Sequence, residues 1–244
     1  MKKTIAFILT AACAISQAAA VNIKGSVRST EGKGISGVVV SDGLNTTVTD
    51  SRGRFRLETD EDSRFVFIST PSGYISSTLE GETLFYKEIS DDVRKYDFLV
   101  ERNEKDDNSH NLIVIADPQI SERSELPELQ KHADDIASFV KESDGDYTFG
   151  LCLGDIVGWD HSIYPEYNKI MGNGGFEYRY VIGNHDMTNY GRSFETSMKN
   201  YEDMFGPCWY SFNVGKVHYI VLNNNFYVGR DYFYIGYIDE RQLR

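Results

Sequence analysis

Cysteine is scarce in this sequence, and the few cysteines present do not form a disulfide framework. The 244 residues contain three of them. Cys13 lies in the N-terminal apolar segment, which leaves Cys152 and Cys208 for the rest of the chain. Two cysteines are too few for the disulfide scaffold of a small secreted domain. Cys152 stands inside the apolar run FGLCLG, and this position predicts a small buried side chain.

Positive charge is also in short supply. Lys and Arg number 25 against 37 Asp and Glu, which gives a formal net charge of −12. A chain of this sign repels polyanions at long range, so general nucleic-acid binding and a nuclease with a basic stripe are both disfavoured. A phosphate site in such a protein needs strong local positive charge, which metal ions can supply.

No stretch after the first twenty residues is long and apolar enough to span a bilayer. Those twenty residues begin with the basic MKK, continue with the apolar TIAFILTAA, and place Ala18 and Ala20 in a small-x-small pattern. This arrangement predicts a signal peptide over residues 1–20 and hence a periplasmic or secreted protein. Removal of this segment, which contains two lysines and no acidic residue, changes the net charge from −12 to −14. A lipidated N-terminus at Cys13 is the alternative, although Thr10 is a poor match to the residue usual three positions earlier.

Helical periodicity is missing from residues 21–101. Short alternating runs (IKGSV, ISGVVVS, RFRLET and RFVFIST) are separated by turn signals such as EGKG and DSRG. This pattern predicts an N-terminal β-sandwich domain over residues 21–101. The polar segment 102–110 has no apolar spacing and predicts a linker.

A different pattern begins at Asn111. The apolar runs LIVIA, FGLCLG and YRYVIG alternate with the helical patterns LPELQKHADDIASFVKES and IYPEYNKIMG. SFETSMKNYEDMF predicts a further helix, and WYSFNV with VHYIVLN predicts a hairpin. Residues 111–244 are therefore predicted to form an α/β domain with a largely parallel sheet, whose ligands collect at the carboxyl ends of the strands.

Polar side chains follow each of the three apolar runs. Asp117 and Gln119 come after LIVIA, and Asp155 comes after FGLCLG. Asn184 and His185 come after YRYVIG. Each group alone is compatible with an ordinary turn. Together their carboxylate, amide and imidazole groups form a ligand set for hard to borderline divalent metals, so their joint occurrence favours a metal site.

The motifs ADPQ, GDIVGWD and GNHD, in this order, resemble those of calcineurin-like metallophosphoesterases. Residues 111 to about 225 resemble the first part of that domain, and residues 21–101 resemble the small sandwich that precedes it in exported bacterial members. The implied fold is an all-β sandwich followed by an α/β domain, the front part of a metallophosphoesterase α/β/β/α sandwich. The implied activity is hydrolysis of a phosphate mono- or diester, with a small-molecule ester as the partner.

The resemblance also implies a role for each motif residue. Asp117 and Gln119 bind a first divalent metal, and Asp155 bridges it to a second. Asn184 binds the second metal and faces the phosphate, while His185 stays off the metals and acts on the leaving-group oxygen or the phosphoryl charge. Two bridged divalent ions make bound water acidic enough for a metal-bound hydroxide to attack at neutral pH. An imidazole beside them can protonate the departing alkoxide.

Two motif positions depart from the family pattern. Gln119 stands where the family usually has His. Imidazole ligands favour zinc and iron, so an amide oxygen in this position shifts the metal preference toward manganese or magnesium. Many relatives place an acid three residues after the bridging Asp, where it orients the catalytic histidine. That position is Gly158 here, and the nearest acid, Asp160, either substitutes for it or lies in a solvated loop. Asp186 is expected to support the site rather than to bind metal.

The histidines that complete the family's site, in a later Gly-His and a Gly-His-x-His, have no counterpart among the five histidines of this chain. Besides His185 these are His110 in the predicted linker, His132 on the first helix, His161 in a loop and His218 in a strand. We therefore expect the 244 residues of this sequence to be the front part of a longer protein. They would hold one half of the metal site, which would bind metal weakly. Reading the gene past the codon for Arg244 tests this expectation.

The rival interpretation is a non-catalytic exported surface protein that uses the sandwich to bind a glycan or a partner. The aromatic residues of NFYVGRDYFYIGY offer a possible binding surface, although such residues more often form the core and rim of an α/β domain. Metal-dependent hydrolysis of an aryl phosphate distinguishes the two interpretations.

Overall fold

The computed structural model describes residues 22–79, 81–143, 145–229 and 233–243. The predicted signal peptide and Cys13 lie outside these ranges, so they stay predictions. Within the same ranges, no helix has the length and apolar character needed to cross a membrane.

The first part of the chain is built from strands. They are β1 (Asn22–Ser29), β2 (Val39–Ser41), β3 (Thr46–Val48), β4 (Arg54–Glu58), β5 (Phe65–Ile68), β6 (Tyr74–Ser76), β7 (Thr78–Leu79), β8 (Glu82–Thr83), β9 (Tyr86–Glu88) and β10 (Lys95–Arg102). One four-stranded sheet has the order β4-β1-β10-β6, and the other has the order β3-β2-β5-β9. The two sheets bury their inner faces in one core, as in Val27, Val40 and Phe98. The predicted N-terminal β-sandwich is confirmed.

The turn before β4 forms as its sequence predicts. The Asp50 carboxylate accepts hydrogen bonds from the backbone N–H groups of Arg52 and Arg54 at 2.8 and 2.9 Å. Gly53 has a φ of 74°, a left-handed conformation that costs glycine little. These local bonds fix the entry of β4 into the first sheet.

Parallel strands separated by helices follow the sandwich. The elements are β11 (His110–Ile115), α1 (Leu126–Glu142), β12 (Tyr147–Leu153), α2 (Tyr164–Gly172), β13 (Tyr178–Val181), α3 (Phe194–Ser197), α4 (Lys199–Phe205), β14 (Tyr210–Val214), β15 (Val217–Val221), β16 (Asn225–Gly229) and β17 (Phe233–Gly236). Short 3₁₀ turns cover Arg123–Glu125, His161–Ile163 and Glu240–Leu243. The sheet order β11-β12-β13, with both pairs parallel, brings the carboxyl ends of the three strands to one edge. The predicted hairpin is confirmed as the antiparallel pair β14 and β15.

The predicted helix over SFETSMKNYEDMF is broken in two, and Thr188 explains the break. Its backbone N–H donates to the Ser197 carbonyl at 2.7 Å. Its hydroxyl accepts from the backbone N–H of Asn200 at 2.9 Å. Two backbone groups are thereby bonded to a neighbouring loop, and the chain forms α3 and α4 instead of one helix.

The predicted linker 102–110 overlaps both flanking strands, because Arg102 ends β10 and His110 begins β11. Side-chain contacts hold the histidine in place. Its Nδ1 lies 2.9 Å from the Asp107 carbonyl, and its Nε2 lies 2.6 Å from the Tyr219 hydroxyl. The Asp107 carboxylate accepts from the Gly73 backbone N–H at 2.7 Å, which ties the connection to the sandwich. The segment is therefore anchored at both ends.

The sandwich and the following part share a continuous core. Phe149 and Phe212 belong to the same buried cluster as the sandwich residues. The rings of Phe85 and Tyr210 lie 4.7 Å apart between centroids. All four residues of β5 are buried, as expected for a strand that is covered on both faces.

Arg179 is the largest fully buried side chain in this shared region. It forms an ion pair with the buried Glu177 and donates from Nη2 to the Thr70 hydroxyl at 2.9 Å. Its guanidinium lies 4.3 Å from the ring centroid of Phe212 and 4.6 Å from that of Phe85. Burial raises the pKa of Glu177, and the charge of Arg179 opposes that rise. A single cation of the second part is thus enclosed by groups from both parts.

Cys152 and Cys208 are free thiols, and both are buried. Burial raises the pKa of Cys152 to about 12 and raises that of Cys208 well above its ordinary value. The prediction of a small buried residue at Cys152 is confirmed.

Candidate metal centre

The predicted site residues lie just beyond the ends of three neighbouring strands. Pairing of Ile115 with Cys152 and of Leu153 with Val181 aligns the carboxyl ends of β11, β12 and β13. Asp117 and Gln119 follow β11, Asp155 follows β12, and Asn184 and His185 follow β13. A parallel bridge between Ile120 and Val157 continues the pairing past the first two loops. The topology therefore delivers all five residues to one edge of the sheet.

The backbone at three of these residues is left-handed. Asp117, Gln119 and Asp155 have φ values of 56°, 43° and 50°. Among the other non-glycine residues that the structure describes, only Phe233 has a positive φ. A left-handed backbone conformation is unfavourable in free energy for residues other than glycine. Residues held in this conformation cluster at functional sites. The strain coincides with three of the four predicted metal ligands.

Asp155 is the point where the three loops meet. Its Oδ1 accepts from the backbone N–H of His185 at 2.9 Å, and its Oδ2 lies 3.3 Å from Nε2 of Gln119. Its backbone carbonyl accepts from the Gln119 N–H at 2.8 Å. A Cβ at Gly183 would lie 2.1 Å from Asp155 Oδ1, so this approach requires glycine.

A backbone carbonyl holds the ring of His185. Its Nδ1 lies 2.8 Å from the carbonyl oxygen of Gly158. Because a carbonyl only accepts, Nδ1 carries a proton, and Nε2 is the nitrogen left free to exchange one. Trp159 packs against the same ring, with centroids 4.4 Å apart. Gly158, the position at which many relatives have an acid, thus orients the histidine through its main chain.

Asp160 does not take the place of that acid. Its carboxylate accepts from the backbone N–H and the hydroxyl of Ser162 at 3.1 and 2.6 Å, and these bonds lower its pKa. Its other oxygen lies 3.7 Å from Nη1 of Arg123. The side chain is exposed, so of the two interpretations the solvated loop is correct.

A carboxylate beneath the loops supports them. Asp186 is fully buried and accepts from the backbone N–H groups of Gly183 and Ile156 at 2.8 and 3.1 Å. The Tyr164 hydroxyl donates to it at 2.9 Å. Burial raises the pKa of Asp186, while these hydrogen bonds act in the opposite direction. Asp186 therefore joins the loops after β12 and β13 from below, which is the supporting role expected of it.

His161 is a supporting residue that the sequence pattern does not reveal. Its Nε2 lies 2.8 Å from the His185 carbonyl, and its Nδ1 lies 2.8 Å from the Asn200 side-chain amide. Since the amide Nδ2 donates, the histidine's Nε2 carries the proton and donates to the carbonyl. The ring also stacks on Tyr164, with centroids 5.0 Å apart. No spacing in the sequence connects position 161 with this loop.

The structure brings some of the candidate residues into direct contact and leaves others merely adjacent. The Gln119 side-chain amide and the His185 backbone N–H each donate to the Asp155 carboxylate. Asp117 and Asn184 stand beyond the two outer strands, β11 and β13, without a side-chain bond to those three among the described residues. Nor do three His, Cys, Asp or Glu residues lie close enough together in the described ranges to hold a metal ion. The donors available at this edge are two carboxylates and two amides.

The remaining three histidines are not hydrogen-bonded to a candidate metal ligand among the described residues. His132 is exposed on α1, 3.7 Å from Glu128. His218 is exposed on β15, with Nδ1 2.8 Å from the Asn213 amide oxygen. His110 contacts the ring of Phe149 in the shared core.

Comparison with known families assigns the sandwich. Residues 21–103 match the family model described as the N terminal of calcineurin-like phosphoesterase. This match supports the suspected family, and residues 21–103 carry the N-terminal domain of calcineurin-like phosphoesterases. A search of curated proteins gave no match to this chain.

Proposed function

We propose that this protein is an exported, metal-dependent phosphoesterase with its centre at the carboxyl ends of β11, β12 and β13. The family of the N-terminal domain supports this assignment. The motif residues that follow the sandwich lie at one sheet edge, as a ligand site in an α/β domain requires. We further propose that residues 111–244 are the front part of the metallophosphoesterase α/β/β/α sandwich.

One observation carries the proposal. Asp117, Gln119 and Asp155 all adopt a left-handed backbone in loops that contact one another. An ordinary turn can use residues that tolerate this conformation, whereas three strained residues with oxygen-bearing side chains at one edge are costly without a purpose. Binding a cation is a function that such a set serves.

The residues present fit a divalent ion in donor chemistry. Asp117, Asp155, Gln119 and Asn184 offer oxygen donors, which suit manganese or magnesium better than zinc. When bound, divalent ions supply an acidified water and neutralise charge on the phosphoryl oxygens. We propose that two such ions are bound and that manganese is favoured.

The role proposed for His185 follows from its hydrogen bonds. The Gly158 carbonyl holds the proton on Nδ1 through the whole cycle. Only the proton on Nε2 of the imidazolium is therefore transferable, and its loss to the leaving-group oxygen gives the neutral tautomer that Gly158 already favours. The Asp155 carboxylate accepts from the His185 backbone N–H at 2.9 Å, so this hydrogen bond would keep the proposed acid and the proposed metal ligand at a constant distance.

Trp159 gives the proposed site an apolar wall. It is 45% exposed and covers one face of His185. We expect it to contact the organic group of the ester beside the leaving-group oxygen. An aryl or similarly flat group matches such a surface, because aromatic rings pair in tilted or offset arrangements.

Hydrolysis of aryl phosphates tests the proposed function. The full-length protein is purified, stripped with a chelator and assayed on p-nitrophenyl phosphate and bis(p-nitrophenyl) phosphate, with and without added Mn²⁺. We expect activity on at least one ester that appears with Mn²⁺ and disappears with the chelator, since the reaction depends on the ion. No hydrolysis of either ester with Mn²⁺, Mg²⁺, Fe²⁺ or Zn²⁺, together with no bound metal by elemental analysis, would favour the non-catalytic surface protein.

A further inference from the structure

The outer face of the first sandwich sheet concentrates positive charge in an otherwise acidic protein. We call it the basic face; its cations are Lys24, Arg28, Arg54, Arg56 and Lys95. All five side chains are exposed. Residues 22–103 as a whole carry 11 Lys and Arg against 14 Asp and Glu, a net charge of −3. Residues 104–244 carry 12 against 23, a net charge of −11. The cluster is therefore a local feature of one sheet face.

Strand register places three of these cations in a row. Lys24 pairs with Lys95 on one side and with Arg56 on the other. Neighbouring strands are about 4.8 Å apart, so three like charges stand side by side across β4, β1 and β10. Like charges directly opposite each other destabilise a sheet. Within the described residues, neither Lys24 nor Arg56 lies at ion-pair distance from a carboxylate.

Two carboxylates that line the groove beside this row are already paired. Asp97 lies 2.6 Å from Lys95 and accepts from the Ser26 hydroxyl at 2.9 Å. Asp50 lies 2.9 Å from Arg54 and also caps the turn described above. A third carboxylate, Glu58, lies on the same exposed face of β4 two residues beyond Arg56, so five cations against three carboxylates leave a local excess of two positive charges. At physiological salt the Debye length is about 8 Å, so the acidic residues elsewhere are largely screened from this face.

The shape and lining of the basic face indicate which anion it suits. It borders a groove of about 620 Å³ that also contains Ser26 and Thr47. The one aromatic residue in its lining, Phe55, is only 4% exposed because its ring points into the core. Without an exposed ring the groove lacks the stacking platform that single-stranded nucleic acids use. Hydroxyls and separated cations match hydroxyl-rich units that carry one negative charge each.

We propose that the basic face binds a linear acidic polysaccharide whose carboxylate or sulfate groups pair with Lys24, Arg56 and Lys95. Duplex DNA has one charge per about 1.7 Å, a much closer spacing than that of the cation row, whose strands are about 4.8 Å apart. A glycan with one charge per sugar spaces its charges more widely and so matches the separated cations of this row. The sandwich then holds the protein on an anionic glycan, independently of the chemistry at the other end of the molecule.

Charge-neutralising variants and defined probes test this proposal. Binding of polygalacturonate and of chondroitin sulfate, which each carry on average one charge per sugar, is measured by calorimetry at low and at physiological salt, with neutral dextran as a blank. The test variant combines Lys24→Gln, Arg56→Gln and Lys95→Gln. Its matched control combines Lys131→Gln, Lys141→Gln and Lys169→Gln, which removes three exposed cations from α1 and α2. Circular dichroism confirms that both variants fold.

We expect the wild type to bind at least one acidic polysaccharide with an affinity that falls as salt rises. The test variant should lose about tenfold in affinity, since three exposed ion pairs are removed, and the control should keep wild-type affinity. Three results would overturn the proposal: no binding of either acidic polysaccharide, an equal loss in both variants, or tighter binding of single-stranded DNA of similar length. Retained hydrolysis in the test variant would show that this result is separate from the proposed phosphoesterase activity.

Discussion

Replacing His185 by alanine is expected to lower metal-dependent hydrolysis about 10²–10⁴-fold, the usual effect of removing a general acid or base. Mn²⁺ affinity should stay close to that of the wild type, because the side chain is bonded to the Gly158 carbonyl and stands outside the predicted ligand set. Steady-state hydrolysis and Mn²⁺ titration measure the two quantities separately.

The leaving group makes the His185 test more specific. A proton donor matters most when the departing oxygen is basic, so His185→Ala should slow phenyl phosphate more than p-nitrophenyl phosphate. His218→Ala is the matched control, since it removes an exposed histidine from β15. Equal effects on both esters would show that His185 is not the proton donor. A large loss of Mn²⁺ affinity would show that it is a metal ligand.

Replacing Arg179 by alanine is expected to lower the free energy of unfolding by about 3–5 kcal/mol, as removal of one partner of a buried ion pair does. The change leaves Glu177 buried without its cation and opens a space between the rings of Phe85 and Phe212. Urea unfolding followed by fluorescence and circular dichroism measures the loss. Both probes should report one transition, because the sandwich and the second part share a core.

Two variants control the Arg179 experiment. Arg102→Ala removes an exposed arginine at the end of β10 and should change stability by less than about 0.5 kcal/mol. Combining Arg179→Met with Glu177→Gln removes the pair while roughly keeping its volume, and should recover part of the lost stability. A loss below about 1 kcal/mol for Arg179→Ala would show that the pair contributes little to joining the two parts.

Much of the fold was predictable because its signals are local. Alternation in runs such as RFRLET predicted the sandwich strands, and the turn chemistry of Asp50 and Gly53 predicted the entry into β4. The break between α3 and α4 was not predictable, because Thr188 belongs to another loop. The extent of contact between the two parts was equally hidden. Arg179 lies in the strand YRYV, where the sequence gives no sign that the sandwich surrounds its side chain.

The candidate site also has features that the sequence predicted and features that it did not. Side-chain type and strand order located Asp117, Asp155 and Asn184 at one edge from sequence alone. The hydrogen bond between His185 and the Gly158 carbonyl was not predictable. Every residue has a backbone carbonyl, so residue type does not indicate which one will contact the histidine. His161 was missed for a related reason: its two partners, His185 and Asn200, are brought to it only by the tertiary fold.

Mn²⁺ binding by Asp155→Asn tests the metal centre most directly. Asparagine keeps the shape of the side chain and can still accept from the His185 N–H, so only the charge and one oxygen donor are lost. Asp160→Asn, in the same loop but paired with Ser162 and Arg123, is the matched control. We predict that the full-length wild type and its Asp160→Asn variant bind Mn²⁺ equally in calorimetric titration. Asp155→Asn should bind at least about tenfold more weakly, because even outer partners of a metal ligand contribute 10–100-fold. Equal affinity in all three proteins, or no Mn²⁺ binding by the wild type, would contradict a metal centre at these strand ends.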